Sequence, residues 1–297
     1  MNRKVTVAAI QMYIEPNDID ANLKKAELLL ENVFAKNKCD LVVFPEDCIT
    51  GPIPYRLDLV QSESSDAIKF FQNLAVRHNT YIVCGSFIEK TDDKYFNTSL
   101  LTDNKGKIIL KYQKNNLWIP ERWYLTPGNN IKVVETPIGT IGIIICWDLA
   151  FPEISRKLTK LGVDIICCPS YWTVDDGGML TKKYNEFSET IFVNVLCPAR
   201  AIENEALFIY ANGAGEAKLS LKTKMWKSQQ IGQTQICSPV LGTVAKINDN
   251  AEGFVVYQYD KQIARDAERV YKIRKDLVVE TKIGLNSVHS LQPFDSH

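Results

Sequence analysis

Gly139-Thr-Ile-Gly-Ile-Ile-Ile-Cys-Trp-Asp148 is a run of small and β-branched residues that ends in a thiol, an indole and a carboxylate. A short apolar run of this kind predicts a strand that is buried inside a sheet. Cys146 is the last residue of the predicted strand, and an unpaired cysteine is usually an inert core side chain. It becomes a candidate nucleophile only if other residues can activate it.

Histidine is scarce in this chain, although a thiol nucleophile usually relies on a histidine as its base. Only His78, His289 and His297 are present. His78 falls within a predicted helix, and the other two lie in a polar C-terminal tail. If Cys146 does chemistry, a carboxylate is therefore the expected base.

Two further segments carry polar side chains at or just beyond apolar strands. They read Leu-Val-Val-Phe-Pro-Glu46 and Lys-Tyr-Gln-Lys114. Each residue has an ordinary alternative, since Glu46 could be a loop carboxylate, Lys114 a solvated charge and Cys146 a core thiol. The combination of the three in these contexts favours a catalytic set. Cys48, close to Glu46 in sequence, is the rival thiol.

Short apolar runs alternate with longer amphipathic ones along the rest of the chain. Long helices between strands, together with several hairpins, predict mixed sheets covered by helices. Turns are expected at 103–106 and 136–139, where Gly and Pro or Asn interrupt the pattern. The predicted strands are 4–12, 40–44, 81–88, 97–101, 107–112, 132–135, 140–146, 164–168, 207–211, 234–237, 243–247 and 254–259, and the predicted helices are 18–36, 65–78, 153–161, 182–195 and 262–271.

Bulk composition narrows the class of protein. A chain of 297 residues with 45% hydrophobic content can bury a large core, and no linker-like segment divides it, so a single domain over 1–297 is expected. Lys and Arg number 35, as do Asp and Glu, so the charges balance. This balance offers no electrostatic attraction for nucleic acid or an anionic membrane, and neither partner is expected. The locally basic segment 218–227 is interpreted as a solvated loop.

The N-terminal segment and the positions of the cysteines predict a cytoplasmic protein. The apolar run 5–10 is too short for a signal peptide, and no stretch is long enough to span a bilayer. The eight cysteines mostly sit in apolar runs and include no C-x-x-C pair, which gives no metal or redox spacing. Seven are interpreted as core thiols. Nucleotide-binding glycine loops and a G-x-S-x-G elbow are also missing.

Taken together, the motifs resemble those of the nitrilase superfamily of carbon–nitrogen hydrolases over nearly the whole chain. Each motif is weak alone, and their order and completeness carry the resemblance. They are, in chain order, Val42-Val-Phe-Pro-Glu46, Tyr112-Gln-Lys114, Glu121 before Thr126-Pro-Gly128, Gly142-Ile-Ile-Ile-Cys-Trp-Asp-Leu-Ala-Phe-Pro-Glu153, Ala199-Arg-Ala-Ile-Glu-Asn204 and Asn212-Gly213.

The resemblance implies an α/β fold, namely a four-layer α-β-β-α sandwich with two mixed β-sheets. It implies that no metal or organic cofactor is required. It also implies a homodimer or larger homo-oligomer, in which the polar tail at about 272–297 crosses the subunit interface.

The resemblance also assigns roles in catalysis. Cys146 is the expected nucleophile and Glu46 its base, which later protonates the leaving ammonia and activates water. Lys114, with the backbone N–H of Trp147, is expected to stabilise the oxyanion. Glu121 is expected to orient Lys114 and the substrate amide.

Three aromatic residues are candidates for substrate binding. Trp147 and Trp172 follow strands whose carboxyl ends should line the site, although plain packing is an equally good interpretation. Tyr55 ends the segment Thr-Gly-Pro-Ile-Pro-Tyr55, which departs from the Thr-Gly-Tyr of many relatives and is expected to shape the pocket. Structural roles are expected for Asp148 and Glu153, which flank a strand-to-helix turn, and for an internal ion pair or loop contact between Arg200 and Glu203.

The expected reaction is hydrolysis of a small linear amide or N-carbamoyl compound through a thioester, with release of ammonia. Cys-Trp-Asp followed by Phe-Pro-Glu is more similar to amidases and N-carbamoyl-amine hydrolases than to true nitrilases, which usually carry Cys-Trp-Glu. Hydrolysis of a nitrile is the second interpretation. Acyl transfer to an amine, or a catalytically silent family member, also stays open.

Overall fold

The computed structural model of the protein describes residues 4–220 and 225–277. Its strands, in chain order, are β1 Val5–Gln11, β2 Leu41–Val43, β3 Tyr81–Val83, β4 Phe87–Thr91, β5 Lys94–Thr102, β6 Ile108–Gln113, β7 Val133–Thr136, β8 Gly139–Ile143, β9 Ile165–Pro169, β10 Leu207–Ala211, β11 Glu216–Ser220, β12 Met225–Gln229, β13 Gln235–Ser238, β14 Gly242–Lys246 and β15 Gly253–Tyr259.

Two mixed sheets dominate the described chain. One has the strand order β15-β1-β2-β3-β5-β4, with β6 paired to β5, and the other has the order β14-β13-β10-β9-β8-β7. Strands β1 to β3 are mutually parallel in the first sheet, as are β8 to β10 in the second. Strands β11 and β12 form a separate two-stranded hairpin.

Helices cover the outer face of each sheet, so the layers follow the α-β-β-α order. Helices α1 and α2 pack on the first sheet, while α3 and α5 pack on the second. No helix within the described ranges is both long and apolar enough to cross a membrane. The helices are α1 Ile19–Phe34, α2 Asp66–His78, α3 Pro152–Lys160, α4 Gly178–Lys182, α5 Ser188–Asn204, α6 Gln262–Tyr271 and α7 Ile273–Leu277.

Alternation along β1 shows why this strand lies between two apolar layers. Val7 and Ala9 belong to the cluster shared with the second sheet, whereas Ala8 and Ile10 belong to the cluster under α1 and α2. Successive strand residues point to opposite faces, so an apolar residue is needed at every position. The continuous apolar run in the sequence is the direct result.

The parallel strands bring several loops to one edge of the sandwich. Glu46 follows β2, Cys146 follows β8 and Trp172 follows β9. The Glu46 N–H donates to the carbonyl of Ser170 at 3.2 Å, which joins the loops of the two sheets. Carboxyl ends of parallel strands meet at the same sheet edge, and ligand sites in α/β folds usually form there.

Some elements agree closely with the sequence prediction. Helix α6 has the predicted bounds, 262–271, and both predicted turns connect paired strands. In the first turn the Asp103 side chain accepts hydrogen bonds from the N–H groups of Lys105 and Lys107. These features depend on residues close in sequence, which is why the local pattern suffices to predict them.

Three predictions were wrong. Segment 81–88 is not one strand, because the chain turns at Gly85, which has a φ of +71° and lies so close to the Pro45 carbonyl that a Cβ would be 2.0 Å from its oxygen. The helix predicted at 182–195 instead begins at Ser188 and continues through Pro198 to Asn204. The segment interpreted as a solvated loop, 218–227, contributes strands β11 and β12, with residues 221–224 outside the described chain.

The helix continues through a proline because packing outweighs the lost hydrogen bond. Pro198 has no N–H, which normally ends a helix. Val193, Cys197 and Ala201 are nevertheless fully buried against the second sheet. Burial of several side chains of this size offsets a local cost of about 3 kcal/mol.

The start of the C-terminal tail packs on its own chain. Arg274 of α7 donates to the carbonyl oxygens of Val163, Asn204 and Glu205 at 2.6, 3.1 and 2.9 Å. Most of the segment predicted to cross a subunit interface, 278–297, lies outside the described residues, as do His289 and His297.

Candidate active site

Cys146 occupies a sharp turn between β8 and a single 3₁₀ turn over Cys146–Ala150. Its φ is +45°, a left-handed conformation that costs a non-glycine residue about 1–3 kcal/mol. Asp148 holds this turn: its carboxylate accepts from the Ile145 N–H at 3.0 Å, the Tyr112 hydroxyl at 2.7 Å and the Asn116 N–H at 2.8 Å. Fully buried Asp148 therefore has the structural role expected of it.

The structure brings the four predicted catalytic residues together. Nζ of Lys114 lies 2.8 Å from Oε1 of Glu46 and 2.7 Å from Oε2 of Glu121. The Cys146 thiol lines the same cavity as Glu46, Lys114 and Glu121. Glu46, Lys114 and Cys146 are all buried, with 3%, 2% and 7% of their surface exposed. A lysine held between two carboxylates cannot swing away, so the charges are positioned in advance.

Burial and neighbouring charges set the protonation of the site. Burial lowers the pKa of Lys114, but the charges of Glu121 and Glu46 outweigh it and hold that pKa well above its usual range. Burial raises the pKa of Glu46, with Lys114 opposing the rise. Burial and the Glu46 charge raise the pKa of the Cys146 thiol well above its usual range. The resting site therefore pairs a neutral thiol with a carboxylate that could accept its proton.

Asn97 is a site residue that the sequence argument missed. Its side-chain amide donates to Oε1 of Glu46 and to Oε1 of Glu121, both at 2.8 Å. Its backbone carbonyl also accepts from the Lys114 N–H at 2.8 Å. The overlooked signal is the polar run 97–99 within a strand, all of it buried. Buried polar side chains in a strand need partners, and the partners of Asn97 are the carboxylates of Glu46 and Glu121.

Asn97→Ala tests this positioning role. We expect kcat/KM for the substrate to fall about 10- to 100-fold, because hydrogen bonds to charged groups contribute about 1.5–3 kcal/mol. The low-pH limb of the rate profile should also move to higher pH, since the Glu46 carboxylate loses a donor that stabilises its charge. Ser99→Ala on the same strand is the control, because the Ser99 hydroxyl is buried without a partner among the described residues. An unchanged rate and profile in Asn97→Ala would remove Asn97 from the site.

These residues form part of the wall of a cavity of about 420 Å³, a volume that suits a small molecule. All three predicted substrate-binding residues, Tyr55, Trp147 and Trp172, line it. Tyr55 is 46% exposed, whereas Trp172 is buried and donates from Nε1 to Glu189 at 2.8 Å. Trp147 packs against Trp118 with ring centroids 4.5 Å apart. Trp147 and Trp172 therefore both line the cavity and pack against or bond to neighbouring side chains.

The aromatic content of the wall exceeds the prediction. All five tryptophans of the chain line this cavity, including three that the sequence argument did not consider, Trp118, Trp123 and Trp226. Trp226 belongs to β12, in the segment interpreted as a solvated loop. No sequence motif marks these residues: Trp118 and Trp123 lie at the two ends of one short 3₁₀ turn, and Trp226 lies on the separate hairpin.

The remaining candidates lie away from the cavity. Arg200 forms an ion pair with Glu203 at 2.7 Å and donates to the Leu149 carbonyl, so it supports the turn after Cys146. Glu153 is exposed in the first turn of α3. The rival thiol, Cys48, is buried and donates to the Cys84 carbonyl at 3.1 Å, and it does not line the cavity.

Comparison with known proteins gives a consistent result. Residues 6–269 match the family described as carbon-nitrogen hydrolase. The chain is 26% identical over 282 residues to a probable nitrilase of Schizosaccharomyces pombe, which covers 90% of this chain and 93% of that protein. It is 27% identical over 281 residues to 2-oxoglutaramate amidase of Bacillus subtilis, covering 92% and 99%.

A solved structure supports the layered architecture. The crystal structure of Saccharomyces cerevisiae Nit3, a member of branch 10 of the nitrilase superfamily, matches with a TM-score of 0.73 at 24% identity. The match covers 90% of this chain and 94% of that one. The four-layer sandwich with two mixed sheets, expected from the sequence motifs, is confirmed.

Proposed function

This chain belongs to the carbon–nitrogen hydrolase family, and from that premise we propose that it hydrolyses a small linear amide or N-carbamoyl compound through a thioester on Cys146. The observation that supports this most directly is the contact of Lys114 with both Glu46 and Glu121, beside the Cys146 thiol on the wall of one cavity. No other arrangement of nucleophile, base and cation lines that cavity among the described residues.

Acylation begins with proton transfer from the Cys146 thiol to the Glu46 carboxylate. The sulfur attacks the substrate carbonyl carbon, a C–S bond forms, and the carbonyl oxygen becomes an oxyanion. Nζ of Lys114 stabilises that charge, together with the Trp147 N–H. This N–H lies in the first turn of the 3₁₀ segment, where backbone donors point away from the turn without an intrahelical acceptor. One such donor typically contributes about 3 kcal/mol to the rate.

Collapse of the tetrahedral intermediate breaks the C–N bond. Glu46 returns its proton to the leaving nitrogen, and ammonia departs. Glu46 is then a carboxylate again and takes a proton from water, which attacks the thioester carbon. The C–S bond breaks, the thiolate recovers the proton from Glu46, and the acid product leaves.

The residues that follow Cys146 favour an amide or N-carbamoyl substrate over a nitrile. The named relatives differ in substrate, one being a probable nitrilase and one acting on 2-oxoglutaramate, so they support the reaction class more than a particular substrate. Asp148 is held by Tyr112, Ile145 and Asn116 and does not line the cavity. Its effect on substrate choice would therefore act through the position of the Cys146 turn.

The test is ammonia release from matched panels of linear amides, N-carbamoyl amines and nitriles. We expect release from at least one amide or N-carbamoyl compound and none above background from nitriles. Added hydroxylamine should trap the thioester as a hydroxamate, which also detects a family member that transfers its acyl group to an amine. Release from nitriles alone, or neither ammonia nor hydroxamate from any compound, would contradict the proposal.

We also propose that the chain forms a homodimer through α5. Exposed apolar side chains recur at helical spacing along one face of α5, starting at the residue directly before the helix, namely Phe187, Ile191, Val195 and Ile202, with 62%, 47%, 58% and 47% of their surface exposed. A contiguous apolar stripe of this kind on a soluble surface usually marks a protein interface. Two copies meeting through the same stripe would form a two-fold symmetric contact.

The dimer can be tested by light scattering after gel filtration. We expect a mass twice the 33.7 kDa of the chain, and we expect Ile191→Glu combined with Val195→Glu to shift it towards a single chain. Leu28→Glu is the matched control, because Leu28 is 62% exposed on α1, on the opposite outer layer. A wild-type protein with the mass of one chain at micromolar concentration would contradict the dimer.

A further inference from the structure

Asp47 is a buried carboxylic acid with no evident structural task. Only 6% of its surface is exposed, and it lines the same cavity as Glu46, its neighbour in sequence. Its N–H donates to the Ser86 hydroxyl at 3.3 Å and its carbonyl accepts from Gly51, but no described residue donates to Oδ1 of its carboxylate. A buried carboxyl oxygen without a hydrogen-bond donor is unfavourable, so an unfilled role is indicated.

Backbone conformation does not account for the choice of aspartate here. Asp47 has a φ of +54°, which asparagine, aspartate and glycine adopt more readily than other residues. Asparagine would satisfy that requirement without bringing a negative charge beside Glu46. The ionisable group is what remains to be explained.

The acidic side chains that share the cavity wall with Asp47 are not balanced by positively charged ones. Burial and the charges of Glu46 and Glu121 raise the pKa of Asp47 well above its usual range, and the Lys114 charge opposes this only in part. Lys114 is already within 2.8 Å of Glu46 and 2.7 Å of Glu121. It is also the only lysine or arginine among the described residues that line the cavity.

Other acids add to this imbalance on the cavity wall. Asp175 and Asp176 line the cavity together with Glu46, Asp47 and Glu121. Asp175 is paired with a lysine outside the cavity, whereas burial raises the pKa of Asp176 to about 7. A substrate carboxylate entering this cavity would meet five acids and one engaged ammonium, which opposes its binding.

Two tyrosine side chains share the cavity wall with Asp47. Tyr124 and Tyr171 both line the cavity. Burial raises the pKa of each hydroxyl, and the Asp47 charge is the next largest cause in both cases. A cavity wall that carries both a carboxylate and aromatic rings is a favourable site for an ammonium group, which gains ion pairing and cation–π attraction there.

We propose that the substrate is a cationic amide, in which a short linear chain joins the scissile amide or ureido group to a primary ammonium, and that Asp47 binds the ammonium. This assignment rests on the proposed function, because it names the substrate class of the same site. Asp47 and Cys146 line one cavity of about 420 Å³, a volume that suits a short chain between the ammonium and the carbonyl attacked by Cys146. Two classes of compound have this form, namely the amides of ω-amino acids and the N-carbamoyl diamines.

Binding can be measured apart from turnover in the Cys146→Ala protein, using the fluorescence of the five cavity tryptophans. The probes are 3-aminopropanamide to 6-aminohexanamide, each matched with the alkanamide that replaces the ammonium by a methyl group, together with glutaramate. We expect the best ammonium compound to bind about 10- to 100-fold more tightly than its neutral match, because one charged hydrogen bond contributes about 1.5–3 kcal/mol. Glutaramate should bind more weakly than either.

Asp47→Asn in the same background should abolish this preference. Asp93→Asn, at an exposed position in the β4–β5 turn, is the matched control and should keep it. Equal binding of ammonium and methyl compounds, tighter binding of glutaramate, or a preference that survives Asp47→Asn would each overturn the proposal. If Asp47→Asn does not fold, the ligand preference of the Cys146→Ala protein still tests whether the substrate is cationic.

Turnover by the protein with Cys146 intact separates this proposal from the proposed function. Hydrolysis of neutral amides at kcat/KM values equal to those of ammonium compounds would overturn the cationic substrate and leave the hydrolase intact. The other outcome is ammonium binding by Cys146→Ala without hydrolysis of any amide or N-carbamoyl compound by the intact enzyme. It would support the cationic ligand and contradict the proposed hydrolase function.

Discussion

Cys146→Ala is expected to lower kcat/KM for the hydrolysed substrate by about 10⁴-fold or more, to the level of the uncatalysed background. The thiol is the group that forms the C–S bond, and no other cysteine lines the cavity among the described residues. Alanine fills most of the space of the buried thiol, so the fold should survive. Circular dichroism and thermal unfolding would establish that the variant remains folded.

Cys48→Ala is the matched control for this experiment. Cys48 is buried and lies two residues from Glu46, but its thiol faces the Cys84 carbonyl. We expect Cys48→Ala to retain most of the wild-type rate and to lose at most about 1 kcal/mol of stability from one weak hydrogen bond. Substantial activity in Cys146→Ala combined with its loss in Cys48→Ala would reassign the nucleophile.

Glu46→Gln is expected to lower kcat about 10²- to 10⁴-fold, because a positioned general base contributes that much. Glutamine preserves the shape of the side chain but cannot take a proton from Cys146. Lys114 keeps its contact with Glu121 in this variant, so the oxyanion site should persist. Glu135→Gln, at an exposed position on β7, is the control and should leave the rate unchanged.

The pH dependence distinguishes a base from a merely structural carboxylate. Glu46 must be ionised to accept the thiol proton, and burial raises its pKa above the usual 4.5. The rate should therefore fall as the pH decreases through that raised pKa, at higher pH than for an exposed carboxylate. This limb should disappear from the residual activity of Glu46→Gln. Its persistence at the same pH would assign it to another group.

Local sequence was sufficient for elements whose structure depends on near neighbours. The bounds of α6, the two hairpin turns and the strand that precedes Cys146 follow from periodicity and turn residues. Where distant packing decided the outcome, the sequence prediction was wrong. The break at Gly85 depends on the Pro45 carbonyl, and the extension of α5 through Pro198 depends on burial against the second sheet.

The same distinction between local sequence and distant packing applies to the candidate active site. By itself the sequence determined the residue types of the site, because Glu46, Lys114 and Cys146 each end a recognisable segment. Only the tertiary structure decided that Asn97 bridges Glu46 and Glu121 and that Oδ1 of Asp47 has no hydrogen-bond donor among the described residues. Pattern and motif report what a residue is and which face of its own element it occupies. Hydrogen-bond partners, desolvation and unbalanced charge belong to pairs of residues far apart in the chain, and these are set only when the two sheets pack together.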